Sequence, residues 1–168
     1  MLIIPSLIFG ILSAIFALII ELAVDLFFSV SLAEVPNLPH DLHITTLIAL
    51  LGIAGIEESS KYLFLRLRIK RFPPAPSSAM WKNIVLGASF GIGFAVIEIL
   101  LMFFSNFGFL PLWITLGTAT LHITTSIIFA IFLFAVSQTH FARFSAVALA
   151  IFLHMLYNVF VFFWPLAY

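Results

Sequence analysis

Long apolar runs alternate with short segments of turn-forming and charged residues along the whole chain. A transmembrane helix needs roughly 20 mainly apolar residues. Five stretches meet that requirement: Leu2–Val30, Ile44–Leu65, Asn83–Phe104, Leu112–Val136 and Ser145–Trp164. The first lacks a basic leading segment and is too long for a signal peptide, so we expect it to be retained. The pattern predicts an all-α, polytopic transmembrane helical bundle of about five spans, forming one integral membrane domain over residues 1–168.

The composition agrees with a membrane protein and excludes several classes of function. Hydrophobic residues make up 64% of the chain and charged residues only 8%, too few to cover the surface of a soluble domain. The net charge of +0 argues against a nucleic-acid partner. The chain has no cysteine, so disulfides, thiolate nucleophiles and cysteine-based metal sites are impossible.

The connectors between the runs differ in their basic residues. Turn-forming residues in "AEVPNLPHD", "RIKRFPPAPSSAMWK", "SNFGFLP" and "SQTHFAR" mark these connectors. The second connector and its edges hold Arg66, Arg68, Lys70, Arg71 and Lys82, and the fourth connector holds Arg143. The positive-inside rule therefore predicts that both connectors are cytoplasmic and that the N-terminus is inside.

Ionisable residues within the runs are the first sign of function. A charge at the bilayer centre costs at least ~2.5–3.5 kcal/mol on insertion scales, so such residues normally face a partner or a wet cavity. Solvation at the outer interface is enough to explain Glu21 and Asp25 on the first run. The others are Glu57, Glu58, Lys61, Glu98, His122 and His154.

The segment "GIEESSK" places two carboxylates and a lysine in the second run. Glu57 and Lys61 are four residues apart, so they share a helix face and can pair. Glu58 points about 100° away round the helix and needs another partner. One carboxylate is thus expected to pair with Lys61, and its neighbour to face a cavity.

The third run carries its acid on a stripe of small residues. Gly87 and Gly91 lie on the same helix face as Glu98. Because small residues let another backbone approach closely, the face that packs against a neighbouring helix is expected to carry the carboxylate.

The last two runs carry polar stripes centred on histidine. His122 has Thr118 and Ser126 one turn away on either side, and His154 is followed on its own face by Asn158. Burying every such group separately would be costly, so a single polar cavity shared with the glutamates is the economical arrangement. Depths counted from the ends of the runs spread over about 10 Å, which helix tilt could reduce.

Carboxylates beside histidines and an amide suit the activation of water. A buried glutamate can take a proton from water, and a histidine or asparagine can stabilise an oxyanion. The same residue types could instead hold Zn²⁺, with ligands drawn from separate helices because the sequence lacks an H-E-x-x-H motif. "GASFG" at residues 87–91 matches G-x-S-x-G, but Ser89 lies inside a helical run rather than at a strand-to-helix turn, which argues against serine catalysis.

The order of these motifs resembles that of a known family. The motifs are Glu57-Glu58-x-x-Lys61, Phe94-x-x-x-Glu98, His122 and His154-x-x-x-Asn158, spread over residues 50–160. They resemble the PrsW family of intramembrane proteases, within the superfamily of CAAX prenyl endopeptidases and bacteriocin-processing enzymes. The EExxK and FxxxE variants are more similar to PrsW than to its relatives, which typically carry EExxxR and FxxxH.

The resemblance implies an intramembrane endopeptidase that hydrolyses a membrane-associated protein, for example a single-span protein such as an anti-sigma factor, in a bacterial or archaeal cytoplasmic membrane. It implies Glu57 or Glu58 as the water-activating base, with Lys61 steadying the other. It places Glu98, His122, His154 and Asn158 in the same centre. Both glutamate and metalloprotease mechanisms are attributed to the superfamily, so either no cofactor or Zn²⁺ held by Glu58, Glu98, His122 and His154 is implied.

Five spans are fewer than the family usually has, and residues 44–164 form the four-helix core that carries the motifs. The resemblance favours Glu57 over Glu58 as the base.

The alternative function is that of a non-catalytic membrane scaffold, or of a proton- or ion-coupled transporter, that uses the same buried acids. A transporter should offer a polar route to both faces, and often internal repeats, and neither is visible in the sequence.

Overall fold

Five long helices make up nearly all of the computed structural model, which describes residues 3–28, 44–72, 80–105, 111–135 and 140–163. Most of the residues predicted as connectors lie outside these ranges. The helices are α1 (Ile3–Phe28), α2 (Ile44–Arg71), α3 (Met80–Ser105), α4 (Leu112–Ala135) and α5 (His140–Phe163). The described part of the chain contains no strand, so the predicted all-α fold is confirmed.

The helices extend further on the basic side than the apolar runs. Helix α2 continues to Arg71 and α5 already begins at His140, so the basic residues assigned to the connectors and their edges belong to helix ends. Basic side chains near a helix C-terminus interact favourably with its dipole. Arg68 is fully buried, and its Nη1 donates a hydrogen bond of 2.7 Å to the carbonyl of Phe72, which satisfies one of the carbonyls left open at the helix end.

Four of the helices, α1, α3, α4 and α5, are long and apolar enough to cross a membrane. Helix α2 is as long, at 28 residues, but it contains Glu57, Glu58 and Lys61. All three side chains are buried inside the bundle, as a membrane-embedded helix requires of its charged residues. The protein is an integral membrane protein, and about five spans fit its helices.

The helices pack so that α2 lies at the centre of the site. Helix α3 packs between α1 and α4, and α2 contacts α1, α4 and α5. Glycines make the closest approaches possible: a Cβ on Gly87 or Gly91 would meet α4 backbone atoms at 2.7 Å or less. The predicted packing of the glycine face of α3 against a neighbouring helix is thus confirmed, and the neighbour is the helix that carries His122.

Replacing Gly91 with alanine is expected to loosen the packing of α3 on α4. The added Cβ would lie 2.5 Å from the carbonyl oxygen of His122 and 2.6 Å from the Cα of Ile123. Backbone atoms cannot rotate away, so we expect a loss of about 1–3 kcal/mol in the free energy of unfolding. Thermal unfolding in detergent measures it.

Gly52→Ala is the matched control, because nothing lies within 4 Å of a Cβ at Gly52. Alanine favours a helix by up to about 1 kcal/mol over glycine, so this variant should be as stable as the parent or slightly more stable. Equal unfolding temperatures for Gly91→Ala and Gly52→Ala would contradict the packing described here.

Candidate active site

Lys61 joins α2 to α4 at the centre of the bundle. Its Nζ lies 2.5 Å from Oε1 of Glu58, 2.7 Å from Nδ1 of His122 and 3.1 Å from Oγ1 of Thr125. It also lies 4.7 Å from the ring centre of Phe94. An ammonium group has three donors and no acceptor capacity, so these three acceptors use all of them. The lysine neutralises Glu58 and fixes the ring of His122.

The second nitrogen of His122 faces α3. Nε2 is hydrogen-bonded to Oε2 of Glu98, and the ring packs at 4.8 Å from that of Phe94. Because Nδ1 must accept from the Lys61 ammonium, the neutral ring carries its proton on Nε2 and donates it to Glu98. His122 therefore connects the lysine of α2 to the carboxylate of α3.

His154 of α5 lies against both glutamates of α2. Its Nδ1 is 2.8 Å from Oε1 of Glu58, and its Nε2 is 4.0 Å from Oε2 of Glu57. An ionised carboxylate only accepts hydrogen bonds, so Nδ1 carries the proton and Nε2 presents a lone pair. Oε2 of Glu57 is buried without a hydrogen-bond partner. Oε2 of Glu58 also lacks a partner, and of these acceptors Oε2 of Glu57 and Nε2 of His154 lie 4.0 Å apart.

Two cavities adjoin Glu57 and Glu98 on different sides. A cleft of about 280 Å³ is lined by both carboxylates together with Asn158, Leu50 and Phe162. These lining residues come from the N-terminal half of α2 and the C-terminal ends of α3 and α5. The cleft thus lies at the end of the bundle opposite the basic residues, which the positive-inside rule predicts to be the outer end.

The smaller cavity, of about 40 Å³, is lined by a residue of α1 that the sequence analysis placed at the outer membrane interface. Glu21 of α1 lines it together with Glu57 and Glu98, and Oε1 of Glu21 is buried without a hydrogen-bond partner. A sequence signal for this position exists. Ala14 and Ala17 precede Glu21 on one helix face and are buried, so α1 repeats the α3 pattern of small residues that lead to an acid.

In the structure Lys61 pairs with Glu58 rather than with Glu57. Lys61 contacts Glu58 three residues away, which decides a choice that the sequence left open, and the i, i+4 pairing with Glu57 is not the one formed. Residues three apart also share a helix face, and on this face Lys61 reaches His122 and Thr125 as well. As expected, one carboxylate, Glu58, pairs with the lysine, and its neighbour Glu57 lines the cavities.

The predicted spread in depth narrows in the structure and vanishes for three of the residues. Glu57, His122 and His154 each lie 13–14 residues from the basic-side end of their helix, or about 20 Å at 1.5 Å per residue. The runs had suggested different depths because α2 and α5 extend beyond them. The side chains of Glu57, Glu58, Lys61, Glu98, His122 and His154 meet in one cluster, and Asn158 lines the adjoining cleft.

The cluster contains a set of residues that fits a metal ion. Ligand atoms of Glu57, His122 and His154 lie within 4.8 Å of one another, and two histidines with one carboxylate are a common ligand set of catalytic zinc. Glu58 holds the far nitrogen of His154, as carboxylates do around zinc-bound histidines. Compared with the predicted ligands Glu58, Glu98, His122 and His154, this set has Glu57 in place of Glu58 and does not include Glu98. Nε2 of His122 is, however, engaged with Glu98.

Ser89 takes no part in this cluster. It lies in the middle of α3, and its hydroxyl donates a hydrogen bond of 2.7 Å to the carbonyl of Val85 in the preceding turn. A hydroxyl bonded back to its own helix is a local structural feature. The G-x-S-x-G match therefore does not mark a nucleophile elbow.

A helical membrane bundle around buried glutamates and histidines defines a polytopic membrane protein with a hydrolase-type site. The chain matches the PrsW family of intramembrane metalloproteases over residues 1–168. It therefore belongs to that family, and the resemblance found in the motifs is confirmed. No curated protein and no solved structure gives a significant match. Membership makes the chain a membrane protease with a protein substrate; an anti-sigma factor as that substrate stays a prediction.

Proposed function

We propose that the protein is an intramembrane endopeptidase in which Glu57 and His154 hold and activate the attacking water. The observation that carries the proposal is the pair of free acceptors, Oε2 of Glu57 and Nε2 of His154, 4.0 Å apart. A water molecule has two donors, and one water between them satisfies both acceptors. Glu57 also lines the 280 Å³ cleft, so this water would lie where a substrate can reach it.

The cluster's residues can carry out each proton transfer of the hydrolysis. Glu57 takes a proton from the water as its oxygen bonds to the peptide carbonyl carbon. The carbonyl oxygen becomes an oxyanion, to which the amide of Asn158 is suited to donate a hydrogen bond. Glu57 then returns the proton to the leaving nitrogen as the carbon–nitrogen bond breaks. One water is consumed, and the products are a carboxylic acid and an amine, which become a carboxylate and an ammonium group when the acid proton passes to the amine.

The remaining residues keep this arrangement in place. Glu58 fixes the proton of His154 on Nδ1, which turns the Nε2 lone pair towards Glu57. Lys61 holds Glu58 ionised and keeps it out of the reaction. His122 and Glu98 close the site on the α3 side and are hydrogen-bonded to each other, so they serve mainly to position neighbouring groups.

The cleft also indicates how a substrate would approach. It is lined by apolar side chains together with Glu57, Glu98 and Asn158. Peptide groups in a helix are hydrogen-bonded internally, so a substrate must present a locally unwound segment. We propose an unwound segment near the outer end of a membrane-associated protein's span as the site of cleavage.

A zinc ion is the second candidate, favoured by the 4.8 Å grouping of Glu57, His122 and His154. When bound there, it would acidify a water molecule and polarise the substrate carbonyl. Both ring nitrogens of His122 are already engaged, Nδ1 with Lys61 and Nε2 with Glu98. These contacts favour glutamate activation in this chain.

The proposal is tested by mapping new protein N-termini in membranes of cells that produce the parent or Glu57→Gln. We expect N-termini within or beside transmembrane spans that are present with the parent and at least about 100-fold rarer with the variant. Asp25→Asn on α1, outside the cluster, is the control and should match the parent. Identical N-termini from the parent and Glu57→Gln would favour the scaffold or transporter alternative.

A further inference from the structure

The smaller cavity beside the cluster is unusual in its charge. Three glutamates line it, Glu21, Glu57 and Glu98. Buried oxygens of Glu21 and Glu57 have no hydrogen-bond partner, and Glu57 is 7% exposed. Ionised carboxylates can only accept hydrogen bonds, and each oxygen has two lone pairs, so Glu21 and Glu57 can take a further donor beside the proposed water.

A balance of charges within the described site points to a cation. Glu58 is neutralised by Lys61, and Glu98 receives the hydrogen bond of His122. Glu57 and Glu21 then have no cationic partner. In a medium of low dielectric such an excess of negative charge favours a bound positive group.

The size of the cavity favours a small ammonium group over larger cations. Its volume of about 40 Å³ holds a few water-sized groups, which suits a primary ammonium better than a planar guanidinium. Glu21 lies outside the 4.8 Å group of Glu57, His122 and His154, so it is not part of the candidate zinc site. The walls next to Glu21 are apolar, formed by Ala14 and Ala17, which suits the methylene stem of a lysine.

We infer that Glu21, with Glu57 and Glu98, forms a recognition site for the ammonium group of a substrate lysine that lies next to the scissile bond. The inference rests on the proposed function, because it names the kind of substrate that this active site prefers. A lysine seated there would draw the neighbouring peptide bond towards Glu57. Glu21 is thereby a specificity-determining residue contributed by α1, outside the helices that carry the motifs.

The first test compares reporters built from a cleaved span identified by the N-terminus mapping. Each residue flanking the cleaved bond is replaced in turn by lysine, glutamine or methionine. We expect the parent to cleave the best lysine reporter about tenfold faster than its glutamine counterpart, the effect of one charge-assisted hydrogen bond. Glu21→Gln should bring the two rates within about twofold of each other, mainly by slowing the lysine reporter.

Asp25→Asn is the matched control for this comparison and should keep the preference for lysine. A parent without any preference, or a Glu21→Gln variant that slows all reporters equally, would overturn the inference. A lower zinc content of Glu21→Gln than of the parent would also overturn it, because Glu21 would then be a metal ligand.

The second test needs no peptidase activity. Thermal unfolding in detergent is followed with methylammonium chloride, and with tetramethylammonium chloride at the same ionic strength. Methylammonium should raise the unfolding temperature of the parent in a concentration-dependent way, and tetramethylammonium, which is too large for the cavity, should not. Glu21→Gln should show no difference between the two salts.

The two tests separate the failure of this inference from that of the proposed function. If no membrane protein is cleaved but methylammonium still stabilises the parent through Glu21, the cation site stands and the peptidase proposal fails. If cleavage depends on Glu57 while neither lysine nor methylammonium has an effect that requires Glu21, the peptidase stands and the inference is wrong.

Discussion

Replacing Glu57 with glutamine is expected to lower the rate of peptide cleavage by about 10²–10⁴-fold, the usual contribution of a general base. The amide has nearly the same shape as the carboxylate but cannot take a proton from water. The free energy of unfolding should hardly change, because the buried Oε2 of Glu57 has no hydrogen-bond partner to lose. Cleavage of a reporter and thermal unfolding, measured on the same preparation, check both expectations.

Glu58→Gln is the matched comparison, because it makes the same chemical change one residue along the helix. Glu58 accepts hydrogen bonds from Lys61 and His154, so this variant should lose stability as well as activity. A Glu57→Gln protein that cleaves at the parental rate, or a Glu58→Gln protein as stable as the parent, would contradict the roles assigned to the two carboxylates.

Replacing Lys61 with methionine is expected to destabilise the protein by about 3–5 kcal/mol, because it leaves the buried anion of Glu58 without its partner. The lysine and Glu58 are both fully buried, and the change also removes the hydrogen bonds to His122 and Thr125. Thermal unfolding in detergent should show a large fall in the unfolding temperature, with loss of peptidase activity.

Lys70→Met makes the same substitution at an exposed position near the end of α2 and should leave stability nearly unchanged. The double variant Lys61→Met/Glu58→Leu removes both charges, and replacing a buried ion pair with apolar residues is often neutral. It should recover most of the stability but none of the activity. An unfolding temperature for Lys61→Met equal to that of Lys70→Met would show that the ion pair does not support the fold.

Much of this fold follows from the sequence because membrane helices leave strong signals. The five apolar runs predicted the five helices, and the stripe of Gly87 and Gly91 predicted the close packing of α3. The polar stripes around His122 and His154 predicted that these residues would share a site with the glutamates. An unpaired polar group in lipid is costly, so few ways of packing the helices can bury these polar residues.

The remaining features depend on how the helices are placed relative to one another, which periodicity does not specify. The choice of Lys61 between Glu57 and Glu58 is decided by the positions of His122 and Thr125 on α4. The equal depths of Glu57, His122 and His154 depend on helix ends beyond the apolar runs. Glu21 resembled an interfacial acid until the packing of α1 on α3 placed it beside Glu98.

The most direct test of glutamate-activated water compares zinc content with peptidase activity in the same purified samples. Preparations stripped with chelator and preparations reloaded with zinc are analysed by elemental mass spectrometry and assayed on one reporter. If Glu57 and His154 activate the water themselves, the rate per folded molecule will be the same at every zinc content and will be lost in Glu57→Gln. A rate that rises in proportion to bound zinc, and vanishes without it, would contradict the account.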